Sequence, residues 1–348
     1  MLRDRTILLA LAGSRAHGTA TPDSDVDLLG VAVPSRRQVL GAFHPFEQAN
    51  APEEMAAFRP DLREDERAIA ARTQLEGTVY GLAKFLKLAA QANPNILEVL
   101  FCREAEVRRT TPLGTALRAQ RDLFVSAKCR HTFGGYAANQ LGRIQLHYRW
   151  HHDGPEAPPA RADFGLPEQT TLPKVRIEVE DRVARRLAEM GLAADEARWR
   201  AAARHVGLDD NLLEVMQKER AWRAARDEWQ RYRRWKARRN PERAALEASY
   251  GYDTKHGAHL VRLLRMGHEI LTTGQVHVWR GDRDAEELKQ IRAGAWSYER
   301  LLAWSAEARA RLDAAESVVK SRPDRERIDA LCADLTERAL ALEVGSPG

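Results

Sequence analysis

Two short apolar runs, residues 6–12 and 25–33, flank a segment rich in Gly, Ser, Thr and Pro (13–23), and Pro34 closes the second run. Runs of this length bounded by turn residues read as strand–turn–strand, with room in the turn for a single turn of helix. Asp25 and Asp27 stand two apart on the second strand, so their side chains leave the same face. Val26 and Leu28 point the other way, into a core. Two neighbouring carboxylates repel each other unless a cation lies between them. They make a natural seat for Mg²⁺, which takes one or two carboxylates and completes its shell with phosphate oxygens. In a two-ion arrangement one ion activates an attacking hydroxyl and the other neutralises a leaving group. Gly13-Ser14 follows the first strand. A glycine there lets the backbone approach an anion closely, and the next amides with the Ser14 hydroxyl are suited to phosphate oxygens. Taken singly, a D-x-D is commonly two solvated acids, and Gly-Ser an ordinary turn. Together, across one strand–turn–strand unit, they form a specific signal.

Downstream, residues 41–64 read as irregular and 73–79 as a third strand. From Gly81 the period turns helical, with Leu82, Phe85, Leu86 and Ala89 on one side. Asn93-Pro94-Asn95 breaks that helix, and 96–101 starts another apolar element. A boundary near residue 110 divides an α/β domain (1–110) from a mainly helical C-terminal domain (111–348). The latter holds a five-proline loop at 151–173 and a charged, helix-forming stretch at 178–248. A helix over 253–273 takes Asp253 as its N-cap and Gly274 as its stop, and 283–344 reads as two or three further helices. At 348 residues the chain is long enough for two domains. No apolar stretch nears the roughly 18–20 residues of a membrane span. The apolar start is too short, and too close to Asp4 and Gly13, for a secretory signal. Cys102, Cys129 and Cys332 are too few and too scattered for a disulfide framework or thiolate site, so a reducing cytoplasm is expected.

Charge is unevenly placed. Residues 217–243 hold eleven Lys/Arg against four acids, a net +7 in a chain of net +5, so the remainder is near −2. A positive segment on a nearly neutral body suggests a polyanionic partner. Within it Trp222, Trp229 and Tyr232 fall at i, i+7 and i+10, one helical face. Aromatics among arginines suit a single-stranded RNA or tRNA end through phosphate neutralisation and base stacking. Equally, the aromatics could pack on the domain and leave the arginines solvated.

Gly13-Ser14-Arg15-Ala16-His17-Gly18-Thr19 followed by Ser24-Asp25-Val26-Asp27-Leu28 resembles the signature of the DNA polymerase β-type nucleotidyltransferase superfamily. Further stretches are similar to the nucleotidyltransferases assigned to bacterial and phage RNA repair. These are Tyr80…Lys84-Phe85, Asn93-Pro94-Asn95…Glu98, Tyr250-Gly251-Tyr252-Asp253-Thr254-Lys255-His256 with His259 and Arg262, and Ile291-Arg292-Ala293-Gly294. The similarity touches roughly 1–100 and 125–300, while the basic stretch 150–245 fits it poorly. It implies a short mixed β-sheet flanked by helices and a mainly helical C-terminal part. It also implies NTP and two Mg²⁺ ions (or Mn²⁺), with transfer of a nucleoside monophosphate to a hydroxyl and release of pyrophosphate. The acceptor it favours is an RNA end, such as a 3′ end, with a protein or small-molecule hydroxyl as alternative. A catalytically weak RNA-binding module is a third reading.

The resemblance assigns Gly13, Ser14 and Arg15 to the nucleotide and implies a third carboxylate on a later strand. Glu76, on the expected third strand, is the candidate metal ligand or general base. Asp65 and Glu66 compete from a charged, irregular stretch. His17 stands where this family more often has Tyr and is read as a structural residue of the loop. Lys255, His259 and Arg262 fall at i, i+4 and i+7 of their helix, one stripe suited to a triphosphate or RNA phosphate; a solvated basic face is the plain alternative. His256 lies nearer the buried side.

Overall fold

The computed structural model describes residues 2–22, 24–73, 75–170 and 210–344. Residues 178–209 of the expected charged helical stretch, and 171–173 of the expected loop, lie outside the described residues. The chain divides into two compact units, Met1–Leu146 with Ala245–Gly348, and His147–Ala244.

The first unit is built on a five-stranded mixed sheet of β1 (Thr6–Leu11), β2 (Asp27–Ala32), β3 (Gln48–Ala49), β4 (Glu76–Gly81) and β5 (Val107–Thr110), in the order β3-β4-β2-β1-β5. β1 and β2 pair antiparallel, as a short turn between them dictates, whereas β2 and β4 run parallel. Parallel pairing needs a crossover. The chain between them forms α3 (Arg36–Leu40), α4 (Pro52–Ala56) and α5 (Glu64–Ala70), after α1 (Leu2–Arg5) and α2 (Gly13–His17). Met55, Phe58, Leu62, Ala70 and Leu75 of the crossover cluster with Leu9, Leu11, Val26, Leu28, Ala32 and Val79 of the sheet. The period-2 alternation of β2 therefore buries Leu28 on that face and turns Asp27 to the other.

The third strand begins at Glu76, not at residue 73. Thr73 is drawn into the end of α5, where its amide and hydroxyl both donate to the Ile69 carbonyl. The stretch 41–64, read as irregular, carries β3, α4 and a short 3₁₀ turn at Arg59–Asp61. α6 (Leu82–Ala90) buries Leu82, Phe85, Leu86 and Ala89, the residues its periodicity named. α7 (Pro94–Phe101) starts where the Asn93 side chain accepts from the Asn95 amide. α8 (Pro112–Ala119) and the first part of α9 (Cys129–Asp153) follow.

α10 (Asp210–Ala237) belongs to the second unit and α11 (Pro241–Tyr250) leads back to the first. There α12 (Thr254–Thr273) is capped by Asp253, whose side chain accepts from the His256 amide, and stopped by Gly274. α13 (Ala285–Arg292), α14 (Tyr298–Ala314) and α15 (Arg325–Val344) complete the chain. Among the described residues no helix is long and apolar enough to cross a membrane.

In the second unit, the aromatic face of α10 turns inward. Tyr232 is 8% exposed and meets Trp150 edge-on at 6.0 Å between ring centroids. Trp222 Nε1 donates to the Pro159 carbonyl at 3.0 Å, and Trp235 lies 5.4 Å from Trp150. Arg226, Arg231, Arg233, Arg234, Lys236 and Arg238 are exposed.

Candidate active site

The strand–turn–strand unit closes through the Ala12 amide, which donates to the Asp27 carbonyl at 2.9 Å. Gly13 follows with φ +59°, and a Cβ built on it would lie 2.5 Å from Asp27 Oδ2. The left-handed conformation favours glycine, and any side chain there would displace the Asp27 carboxylate. α2 then makes one turn and ends on Gly18, at φ +73°. The Ser14 carbonyl accepts from the Thr19 amide at 2.9 Å. Arg15 reaches forward to clamp the next loop, its Nε donating to the Asp25 carbonyl at 3.0 Å and Nη2 to the Ser24 carbonyl at 2.7 Å. Ser24 Oγ in turn accepts from the Thr21 amide at 2.9 Å. The approach to Asp25 is thus fixed from both sides.

Asp27 and Glu76 are paired in register across the parallel β2–β4 ladder, so they share one sheet face. Asp25 and Glu76 are exposed and Asp27 is half-buried. Burial first, then the charges of Glu76 and Asp25, push the Asp27 carboxyl above its ordinary range; Lys255 and Arg15 act in the opposite sense. Two acids and two cations from four segments therefore lie within electrostatic reach of Asp27. Among the described residues no three His, Cys, Asp or Glu side chains converge as a ready-made cage for an ion. Asp25, Asp27 and Glu76 could each lend an oxygen to a cation that draws its remaining ligands from phosphate and water. The competitors of Glu76 stand elsewhere: Glu66 is buried against Arg108 and caps α5 through the Arg63 amide at 3.0 Å, and Asp65 is on that same helix.

Behind the turn lies a buried polar cluster. Glu98 of α7 pairs with Arg262 of α12, and Glu98 Oε2 lies 3.1 Å from His17 Nε2, off the hydrogen-bonding direction. Exposures are 7% for Glu98, 5% for Arg262 and 3% for His17. Burial alone would push the Glu98 carboxyl up, but Arg262 and then His17 outweigh it and hold it well below the usual range. Burial and then Arg262 lower the His17 pKa, while Glu98 pulls it the other way. His259 Nδ1 accepts from Arg262 Nη2 at 3.3 Å, and burial with Arg262 behind it pushes His259 down to about 3. The stripe expected on α12 therefore divides. Lys255 acts on Asp27, whereas Arg262, expected to hold phosphate, already has a buried carboxylate. His256 is buried and sits 3.1 Å from Asp253 Oδ2 at the helix cap.

Residues 3–152 match the model of the RNA repair pathway DNA polymerase beta family, RlaP. That is the family the motifs resemble. No curated protein and no solved structure matches the chain. The RlaP match spans Gly13, Asp25, Asp27, Glu76 and Glu98; Lys255, His259 and Arg262 lie beyond it.

Two features of the site escape a reading of the sequence. Glu98 is the hub of the buried cluster, and its signal is there: one acid inside the apolar run Asn-Ile-Leu-Glu-Val-Leu-Phe demands a buried partner. The other is the segment around Trp279. The Arg280 amide donates to the His17 carbonyl at 3.0 Å, and a Cβ on Gly18 would meet the Trp279 ring at 2.8 Å. Arg103 stacks over that ring at 3.4 Å from its centroid. The Arg280 side chain is 1% exposed and paired with Glu269 and Asp284. No periodicity marks Val278-Trp279-Arg280-Gly281 as the buttress of a turn more than 250 residues earlier.

Proposed function

We propose that this chain is a metal-dependent nucleotidyltransferase that moves a nucleoside monophosphate from an NTP to a hydroxyl at the 3′ end of an RNA, in the cytoplasm. The observation that carries the reading is the in-register pairing of Asp27 with Glu76, beside Asp25 and behind the left-handed Gly13 turn. An acid whose proton affinity is raised by burial and by two neighbouring carboxylates, as for Asp27, is suited to a cation and to the phosphates it brings. Asp25 and Asp27 would hold Mg²⁺ or Mn²⁺, which supplies neutralisation of triphosphate charge and lowers the pKa of the attacking hydroxyl. The Gly13–Arg15 turn and Lys255 receive the triphosphate, His259 lies one helical turn beyond, and Arg262 fixes that helix. The acceptor oxygen attacks the α-phosphorus and the bond to the bridging oxygen breaks. Pyrophosphate leaves, and the hydroxyl proton passes to Glu76.

RNA as acceptor is supported by the RNA-repair description of the matching family and by the exposed arginines of α10. The test is incubation with each α-³²P-labelled NTP, Mg²⁺ and either total RNA or total protein. Label in RNA, lost on periodate oxidation of the 3′ ends beforehand and lost in Asp25→Ala and Asp27→Ala, supports the reading. Label in protein moves the acceptor to a side-chain hydroxyl. Label in neither, with NTP binding intact, would demote the chain to a binding module.

A further inference from the structure

We propose that Glu98 is a positioning residue of this site. Its carboxylate, paired with Arg262 of α12 and packed against the His17 ring that ends the Gly13 turn, sets the separation of Asp27 from Lys255. The inference rests on the functional reading just given.

On α7, Glu98 is set in an apolar run. Its neighbours Ile96, Leu97, Val99 and Leu100 are all buried, so a helix serving only to pack would carry an apolar residue at 98. A buried carboxylate is unfavourable unless paired, and a buried ion pair seldom adds stability over apolar residues of the same volume. Packing does not explain Glu98.

Its partners do. Arg262 lies 164 residues away in sequence, and His17 belongs to a different segment again. Each is rigidly joined to a group acting on Asp27. His17 ends the single turn of helix that begins at Gly13, and Gly13 abuts Asp27 Oδ2 with no room for a methyl group. Arg262 is two helical turns beyond Lys255 on the same stripe of α12, about 10 Å along a stiff rod. One jaw of the site carries the acids and the other carries Lys255. Glu98 touches the far end of both. Nothing in the cluster faces a substrate: it is almost wholly out of water. Its influence on the chemistry therefore runs through spacing, and a misplacement of about 1 Å can lower turnover by about 10²-fold.

Replacing the pair by apolar residues separates positioning from stability. Glu98→Leu with Arg262→Met keeps volume and removes both charges, so no buried charge is stranded. The readouts are the melting temperature, equilibrium binding of the NTP that the wild-type protein transfers, and kcat and KM for RNA labelling. Positioning predicts a melting temperature within a few degrees of wild type and NTP affinity changed less than about threefold. It also predicts kcat lower by about 10²-fold. Glu98→Asp, which keeps the charge on a shorter arm, should recover more turnover than Glu98→Gln. A folded double variant with wild-type kcat overturns the proposal. Should that variant not fold, a folded Glu98→Gln with wild-type kcat overturns it equally. A wild-type protein that labels no acceptor sinks the functional reading and this inference with it, an outcome visible before any variant is made.

Discussion

One methyl group should be enough to disturb the Asp27 carboxylate. Gly13→Ala puts a Cβ 2.5 Å from Asp27 Oδ2 in a left-handed backbone conformation. The conformation alone costs about 1–2 kcal/mol, and Asp27 must also move. Melting should fall accordingly and transfer activity should fall further than stability does; a Gly13→Ala protein with wild-type kcat would remove the turn from the site. Asp27 has the opposite thermodynamic character. Its folded-state proton affinity is raised, so its contribution to stability is present below the unfolded value of 3.8 and lost as pH rises through the folded value. At neutral pH in EDTA, Asp27→Asn should melt at or above wild type, with the gap closing toward pH 4 and reversing in Mg²⁺. A lower melting temperature for Asp27→Asn at pH 7 in EDTA would mean the acids do not repel. At this scale the sequence is readable where spacing is local. Gly13, Asp25 and Asp27 lie within one supersecondary unit, whereas the Glu98–Arg262 pair spans 164 residues and no local pattern joins its members.

Among the elements, the segment between α12 and α13 carries the next consequence. Arg280 is fully buried between Glu269 and Asp284, and its amide holds the His17 carbonyl. Arg280→Ala leaves Glu269 without its bidentate partner, while Asp284 keeps Arg265, and should cost about 3 kcal/mol in chemical denaturation; Arg280→Lys recovers only part because the bidentate fork to Glu269 is lost. A loss under about 1 kcal/mol would show that the segment is not a buttress. Helices are legible where caps and periodicity agree: α12 has Asp253, Gly274 and a continuous apolar side, and α6 has its four buried residues. The start of β4 is not, because Thr73, a good strand former, serves instead to end α5. On α10 the spacing of Trp222, Trp229 and Tyr232 defines one face but not what it faces. Tyr232 and Trp222 pack within their own unit, so Trp222→Ala should lower stability and leave the salt dependence of any RNA binding unchanged.

For the molecule as a whole, the exposed arginines of α10 make the decisive test of the acceptor. Changing Arg231, Arg233, Arg234 and Arg238 together to Ala should weaken RNA binding and flatten the slope of log affinity against log salt. The expected change is about 0.7 for each phosphate that is no longer neutralised. NTP affinity should not move. A wild-type protein without salt-dependent RNA binding would turn attention to a smaller acceptor. The sheet unit is assembled from Met1–Leu146 and Ala245–Gly348, with His147–Ala244 between them in sequence. On the ribosome this order has a temporal meaning. Asp25, Asp27, Glu76 and Glu98 leave the exit tunnel long before Lys255 and Arg262 do. At about 5–20 residues per second, the intervening segment alone delays them by about 5–20 s. Through that interval Glu98 lacks Arg262, the guanidinium it pairs with in the complete fold. A nascent chain, or one truncated ahead of α12, presents the acids without their lysine. Asp27 and Lys255 therefore come together only after α12 has been made.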